Sequence, residues 1–553
     1  MEQQRVDGVA GLKKHDIKVS GIVFMLYCLV AAGAFGIEEM IPEAGPGMSL
    51  ILLVAFPIFW AYPISNMVAE CGSLLPSEGG LYVWSREAFG EFWGFQVGWW
   101  TTVSTYIANG TYVTLVAGYV SQLIPMSDLA ILILKTGMIV IFTVINLMGV
   151  KEVEKVSTVL SVLVILAFAL VAVVGIVNWE TNPMDPIMPP DYNIFDSVSG
   201  GICICVWMYC GYECISNMAG EVKNPQVIPK GLLIAMPLVA LTYVLPTLGG
   251  LASMPAGSWE NWALSEDGLG GNAVGYATVL STHLGNVWGY IFLVIAIISQ
   301  CAIFNTYLAS GSRGFFVLAD DNLCPKVMVK VSKKRGVPWV GILSLAVVTF
   351  ILGQNFNFSM LVNIEVVFML AYYLVLAFAV MKLRKKYPVE DRIKQNLYVI
   401  RGGKPGFLFC TVMPIIVAVI ALLLNGTDYL FVGLCATLTG LIAYVILKKI
   451  YGGLYKVDPV ANPINKKTGL AFGDTLRIGI LIFIVGAFAF VGKIWLQWYE
   501  VDYGGWGPAD YDMFCNSIPQ ILQALQWGGL AMMAIGVILA IVAKKIERDE
   551  NKC

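Results

Sequence analysis

Ala31-Ala32-Gly33-Ala34-Phe35-Gly36-Ile37-Glu38-Glu39 puts two glycines and two carboxylates deep in an otherwise apolar run over residues 19–42. Glycine loosens a helix, and a carboxylate at membrane depth is costly, so this stretch is poor material for a lipid-facing helix. A second run, over residues 198–220, carries the same interruption as Trp207-Met208-Tyr209-Cys210-Gly211-Tyr212-Glu213. Unwound backbone at that depth is tolerated only where it lines a cavity inside the protein. There its free N–H groups receive a carboxylate and its free C=O groups an ammonium. A packing role for single glycines is the plainer alternative. Two breaks, each beside an acid, favour a solute site.

Reading outward, the chain has 553 residues, 58% of them hydrophobic and only 13% charged, with a mean hydropathy of +0.75. A soluble protein is about 25% charged, so the surface of this one faces lipid. A bilayer core takes roughly 20 apolar residues. That ruler gives fourteen spans, at 19–42, 48–70, 93–122, 129–149, 157–178, 198–220, 231–252, 287–312, 339–354, 360–382, 406–425, 429–448, 475–497 and 518–543. Span 3, at 93–122, is long enough to be tilted. With the spans alternating, only Lys135 and Lys493 of the 35 lysines and arginines fall on the side opposite the N-terminus. The positive-inside rule then makes both termini cytoplasmic.

The outer loops are acidic, with Glu180, Asp185, Asp191, Asp196, Glu260, Glu266, Asp267, Glu500, Asp502, Asp510 and Asp512. Such a mouth raises the local concentration of cations, although exclusion of Lys and Arg from outer loops gives the same pattern.

The broken spans are the first and the sixth, matching positions if spans 1–5 and 6–10 are two repeats. Five is odd, so the second repeat is inverted in the membrane. Interrupted helices at corresponding positions of two halves point to a carrier's binding site. The predicted organisation is a cytoplasmic segment 1–18, then a ten-helix core 19–382 built from repeats 19–178 and 198–382. Helices 11–12 follow at 406–448, two additional helices at 475–543, and a cytoplasmic tail at 544–553.

Several classes drop out. A net charge of −2 supplies no basic surface for nucleic acid. The twelve cysteines lie mostly in apolar runs and are expected to be buried thiols. Only His15 and His283 are present, too few for a zinc centre or for an enzyme's nucleophile–base pair. No metal, cofactor or cleavable leader is expected. A channel is disfavoured because interrupted helices at pseudo-symmetric positions suit a carrier.

The chain resembles the amino acid–polyamine–organocation (APC) transporter superfamily. The resemblance rests on short stretches in the expected order over residues 19–450. They are Gly33-Ala34-Phe35-Gly36, Ala69-Glu70, Pro76-Ser77-Glu78-Gly79-Gly80-Leu81-Tyr82 and Asn146-Leu147-Met148-Gly149-Val150-Lys151. Gly220-Glu221-Val222-Lys223-Asn224-Pro225, Ile228-Pro229, Ser312-Arg313 and Ala319-Asp320-Asp321-Asn322-Leu323-Cys324-Pro325 complete the set. It implies an all-α, LeuT-type fold of five-plus-five inverted repeats; residues 475–543 are two spans beyond the usual twelve, on which the resemblance says nothing. It also implies a secondary carrier of amino acids or related amines in a plasma membrane, working by alternating access. A polyamine carrier and an exchanger stand as alternatives.

Phe35-Gly36-Ile37-Glu38-Glu39 and Gly211-Tyr212-Glu213 are similar to the polyamine and cationic amino acid branch. Three departures stand out. Ala32-Gly33-Ala34 replaces Gly-Ser-Gly, Val164 occupies the place of a lysine used by some proton-coupled members, and Ala108-Asn109 replaces Asp-Asn.

An ammonium buried in such a site needs carboxylate or carbonyl oxygens and gains from aromatic faces. The expected binding residues are Ala32, Gly33, Ala34, Phe35, Gly36, Glu38, Asn109, Trp207, Tyr209, Gly211, Tyr212 and Glu213. Glu39, Tyr106, Ser299, Thr306 and Glu365 are expected in coupling or gating. Proton coupling through a buried glutamate, sodium coupling through hydroxyls of span 8 (Ser299, Thr306, Ser310), and exchange without an ion all remain open, as does the oligomeric state.

Overall fold

The computed structural model describes residues 16–550 except 32–33, 78, 225, 263–274, 357 and 504–517. Among the described residues it is helical throughout, with one isolated bridge between Ile464 and Ala471 and no strand. Lipid offers no hydrogen bonds, so a chain this apolar satisfies its backbone within helices. Among the described residues, eleven helices are long and apolar enough to cross a membrane. Of the other three expected spans, Val19–Val30 and Trp339–Asn355 are shorter apolar helices. The third, Glu91–Leu123, has 33 residues and rises about 50 Å, well beyond the ~30 Å hydrocarbon core.

The breaks fall where the glycines stand. The helix of span 1 stops at Val30 and a short one resumes over Met40–Ala44. Span 6 is α-helical over Ile194–Met208 and continues as a 3-10 helix over Tyr212–Glu221. Elsewhere the expected loops hold more helix than the apolar ruler shows. Span 5 begins at Val150, because the charged run from Lys151 to Lys155 consists of good helix formers. Short helices also fill Gly80–Phe89, Tyr276–Leu284, Gly314–Asp320 and Val389–Lys394.

Span 3 runs through the centre and packs on spans 8, 9 and 10, while span 1 packs on spans 5, 7 and 8. Ion pairs lock the end of the bundle where span 1 begins. Glu70, 1% exposed, accepts from Arg384 Nε at 2.7 Å and Nη2 at 2.6 Å, from Arg392 Nη1 at 2.8 Å and from the Ile400 N–H at 2.8 Å. Removing one partner from such a buried cluster costs about 3–5 kcal/mol. Asp321 accepts from Tyr82 and Arg86, which ties Gly80–Phe89 to the end of span 8. Glu91 pairs with Lys448 and accepts from Tyr444, whose hydroxyl also reaches Asp474.

At the surface, Glu87 takes hydrogen bonds from Lys386 and Tyr387. Burial pushes its carboxyl up, but these bonds and the Lys386 charge outweigh burial and hold it below the usual carboxylate range.

The last two helices, Asp474–Leu496 and Ile518–Glu550, form a pair with a glycine seam. A Cβ on Gly479 would lie 2.8 Å from the Gly536 carbonyl oxygen, and one on Gly486 would lie 2.7 Å from that of Gly529. Small residues at this spacing let membrane helices touch backbone to backbone.

The acidic outer loops divide in two. Glu500 is buried and caps the start of Thr427–Tyr451, accepting the Thr427 N–H at 3.1 Å. Asp196 closes a capping box with Asn193 and accepts from Tyr499 at 2.8 Å. Glu180, Asp185, Asp191, Glu260 and Asp502 are exposed. Glu266, Asp267, Asp510 and Asp512 lie outside the described residues.

Candidate functional site

At the span 1 break the backbone turns through Gly36 at φ +92°, a conformation that favours glycine. The turn aims Phe35 into an aromatic cluster, with ring centroids 5.5 Å from Tyr119, 4.8 Å from Phe168 and 5.8 Å from Phe292. Glu38 is 3% exposed, and its Oε2 accepts the Gly36 N–H at 3.1 Å. Tyr119 and Tyr276 stand close enough to feel its charge. The Tyr276 hydroxyl pairs with Thr247 at 2.7 Å, and the Tyr119 hydroxyl stands against the Gly36 backbone.

The span 6 break lies directly against the first. Gly211 has φ +92°, and a Cβ there would sit 2.7 Å from the Leu29 carbonyl oxygen and 2.8 Å from the Tyr307 hydroxyl. No larger residue fits between the two chains. Tyr243 of span 7 bridges both interrupted helices, its hydroxyl 3.1 Å from the Val30 carbonyl and 3.0 Å from that of Met208. Beyond Gly211, Glu213 is held by two tyrosines of span 10. Tyr372 donates to Oε1 at 2.9 Å and Tyr373 donates to Oε2.

Two turns earlier in span 10, Glu365 is 2% exposed and its Oε2 has no hydrogen-bond partner. The Trp207 indole and the Ser104 hydroxyl are hydrogen-bonding neighbours of its carboxyl, and the Glu213 charge is within reach. Aromatic rings close the space. Trp207 lies 5.9 Å from Tyr112 and 5.5 Å from Phe358, and Tyr112 lies 5.2 Å from Tyr307. A Cβ on Gly36 would come within 3.5 Å of Trp207 and 3.4 Å of Phe358, so these two rings pack directly against the span 1 break. Among the described residues, Glu38, Glu213 and Glu365 make no ion pair with a lysine or arginine. Two buried acids without a basic partner, beside aromatic rings, suit a cation.

The amino acid permease family matches residues 18–441, more than half of the chain. The chain belongs to that family. Polyamine transporter RMV1 of Arabidopsis thaliana is 27% identical to this permease over 448 residues, covering 78% of this chain and 86% of that protein. Polyamine transporter PUT1 of Oryza sativa subsp. japonica is 26% identical over 474 residues, covering 83% and 81%. An uncharacterized transporter of Legionella pneumophila, lpg1691, is 24% identical over 456 residues, covering 78% and 96%. Among solved structures, MhsT in complex with L-phenylalanine superposes with a TM-score of 0.58 at 13% identity, covering 75% of this chain and 100% of that one. That likeness shows the fold alone, which is LeuT-type. The permease is a multi-pass membrane transporter for small amines or amino acids, and not an enzyme.

Within the permease, Trp207 and Glu213 come together with Glu365, while Phe35 and Glu38 lie at the span 1 break, where Gly36 approaches Trp207. Ala34 is buried beside Phe35, and Tyr212 is buried with its hydroxyl unpartnered. Asn109 donates to the Thr105 carbonyl of its own helix at 2.7 Å and leaves its Oδ1 unpartnered. Tyr106 bonds Ser344 at 3.0 Å, and Tyr209 donates to the Leu53 carbonyl at 2.9 Å while packing on Phe56. Thr306 bonds the Ala302 carbonyl at 2.8 Å and Ser310 the Cys214 carbonyl at 3.3 Å. Ser299 is buried, Glu39 half-buried and Val164 2% exposed. Ala32 and Gly33 lie outside the described residues.

The sequence reading missed Tyr307, Tyr372, Tyr373, Tyr119 and Tyr276. One signal was available: a tyrosine in the middle of an apolar span needs a partner for its hydroxyl. Tyr372 and Tyr373 also follow Glu365 by seven and eight positions, close to two helical turns.

Proposed function

We propose that this permease carries a polyamine or a related cationic amine, bound as an ammonium between Glu213 and Glu365 beneath Trp207 and Tyr112. The observation that carries the reading is the pair of buried carboxylates without a cation. Burying a charge alone is costly, and an ammonium ligand supplies what the protein omits. The relatives named as polyamine transporters support the same class.

A zwitterionic amino acid fits less well. Its carboxylate needs backbone donors at the breaks, and the Gly36 N–H is already given to Glu38. Alternating access about the fixed site would connect the amine to either face. The lysine and arginine bias supports cytoplasmic termini in a plasma membrane. Coupling is proposed to be exchange of the bound cation for a proton or a second amine at the Glu213–Glu365 pair.

The test is uptake into proteoliposomes of labelled putrescine, spermidine, arginine and leucine, with and without a pH gradient or internal amine. Saturable polyamine uptake, lost in Glu365→Gln, is the expected result. Uptake of leucine alone, indifferent to that substitution, would reject the amine site and leave the fold untouched.

A further inference from the structure

Away from the helix breaks, a cleft of about 390 Å³ opens between the transport core and the added helix pair. Its back wall is span 10 from Val367 to Phe378, and its front wall is Leu481, Ile484, Val485 and Phe488 of Asp474–Leu496. Every lining side chain is apolar apart from Thr437 and the indoles of Trp93 and Trp100. The Thr437 hydroxyl is spent on the Leu434 carbonyl at 2.8 Å, and the Trp100 N–H on the Thr437 carbonyl at 2.9 Å. Water has little to bind there, and a void of that size left empty forfeits packing on every wall. Val367 and Phe378 are eleven residues apart, about 16 Å of helix, which is close to one leaflet's half of the ~30 Å hydrocarbon core.

The cleft has a charged end. Phe89 lines it, and the Lys382 ammonium lies 4.9 Å from that ring's centroid. Arg477 stands beside the next residue, its Nη2 3.4 Å from where a Cβ on Gly90 would be. Arg477 Nη1 bonds Asp474 at 2.7 Å and the Phe472 carbonyl at 3.2 Å, which leaves Nη2 turned toward Gly90. Nearby, Lys386 is paired with Glu87. Lys382 is exposed and makes no ion pair among the described residues. Three cations against two acids at the mouth of an apolar slot is an arrangement for an anionic amphiphile.

We propose that the cleft is a phospholipid site, with one acyl chain filling the slot and an anionic headgroup held by Lys382 and Arg477. The added helix pair then has a role as the outer wall that retains the lipid. The inner wall is the helix that positions Glu213, since Ala371 lines the cleft and Tyr372 and Tyr373 follow it.

Native mass spectrometry of the purified full chain, equilibrated with equal amounts of phosphatidylglycerol and phosphatidylcholine, tests the proposal. The wild type is expected to retain phosphatidylglycerol in preference. Lys382→Gln or Arg477→Gln should each weaken that preference about fivefold without loss of phosphatidylcholine. Val485→Trp and Ala371→Trp fill the slot from opposite walls, and loss of retained lipid of both kinds in either variant, eluting as a single sharp peak on size exclusion, supports the site. Equal retention of the two lipids by the wild type, or wild-type retention by both tryptophan variants, overturns it. Because retention is read without substrate, the result is independent of the transported solute.

Discussion

In span 1 the Glu38 carboxylate turns back on its own chain to accept the N–H of Gly36, two residues away. In span 6 Glu213 meets the backbone of Gly211 in the same way, but it also accepts from two tyrosines of span 10, 159 and 160 residues along the chain. The first acid is satisfied locally and stabilises the turn that buries Phe35 in its aromatic cluster. The second is clamped by groups on another helix, so its bonds change whenever spans 6 and 10 move relative to each other. A carrier needs both kinds of acid, one that keeps the break open and one that senses occupancy.

The largest effect that would break this comparison is at Glu213. Glu213→Gln removes the charge between two donors, and losing a buried hydrogen-bonded charge costs about 2–5 kcal/mol. The initial rate of amine uptake should fall on the order of 100-fold, and an unchanged rate would make Glu213 structural.

Tyr373→Phe keeps the charge and removes one donor to it. A bond to a charged group is worth about 1.5–3 kcal/mol, so uptake affinity should weaken by roughly tenfold or more. The measurement is KM for uptake with the rate at saturation as control, and a drop in that rate alone would shift the role of Tyr373 to the conformational step.

Glu38→Gln should do much less, because the amide oxygen still accepts the Gly36 N–H. A change of less than about fivefold in uptake is expected for a neutral hydrogen bond retained. A loss as large as that of Glu213→Gln would place the amine beside Glu38 and erase the distinction between the breaks.

The smallest effect sharpens the comparison from outside the membrane. The Glu87 carboxyl is held below its ordinary value, so its contribution to stability is present above the unfolded value and lost as pH falls through the folded one. Thermal unfolding of wild type and Glu87→Gln should coincide at acidic pH and separate slightly above the ordinary carboxylate range. A pH dependence of uptake near neutrality, unaltered in Glu87→Gln, then belongs to the buried acids.

The breaks were legible in the sequence because glycine beside an acid is a local signal, and Gly36 and Gly211 both turn at φ +92°. The partners were not. Nothing near Glu213 announces Tyr372 and Tyr373, and nothing near Glu38 announces Tyr119 or Tyr276. Those meetings depend on how spans 6 and 10 cross and on how span 3 and the helix Tyr276–Leu284 reach the span 1 break. Hydropathy also located the helices better than their ends. It has no view of a helix that leaves the apolar zone, as Phe358–Lys386 does through Arg384, Lys385 and Lys386. Glu500 and Asp196 read as an acidic outer mouth and are instead tied to helix ends.

The Glu70 knot has a consequence for how the chain is made. Its partners Arg384, Arg392 and the Ile400 N–H lie 314, 322 and 330 residues downstream. At about 5–20 residues per second, Glu70 emerges roughly 15–60 s before they exist. The glycine seam of the last two helices, by contrast, joins residues close in sequence and can close as soon as both are inserted. The transport core is therefore latched late in synthesis, and the nascent chain must keep Glu70 near water until Arg384 and Arg392 arrive.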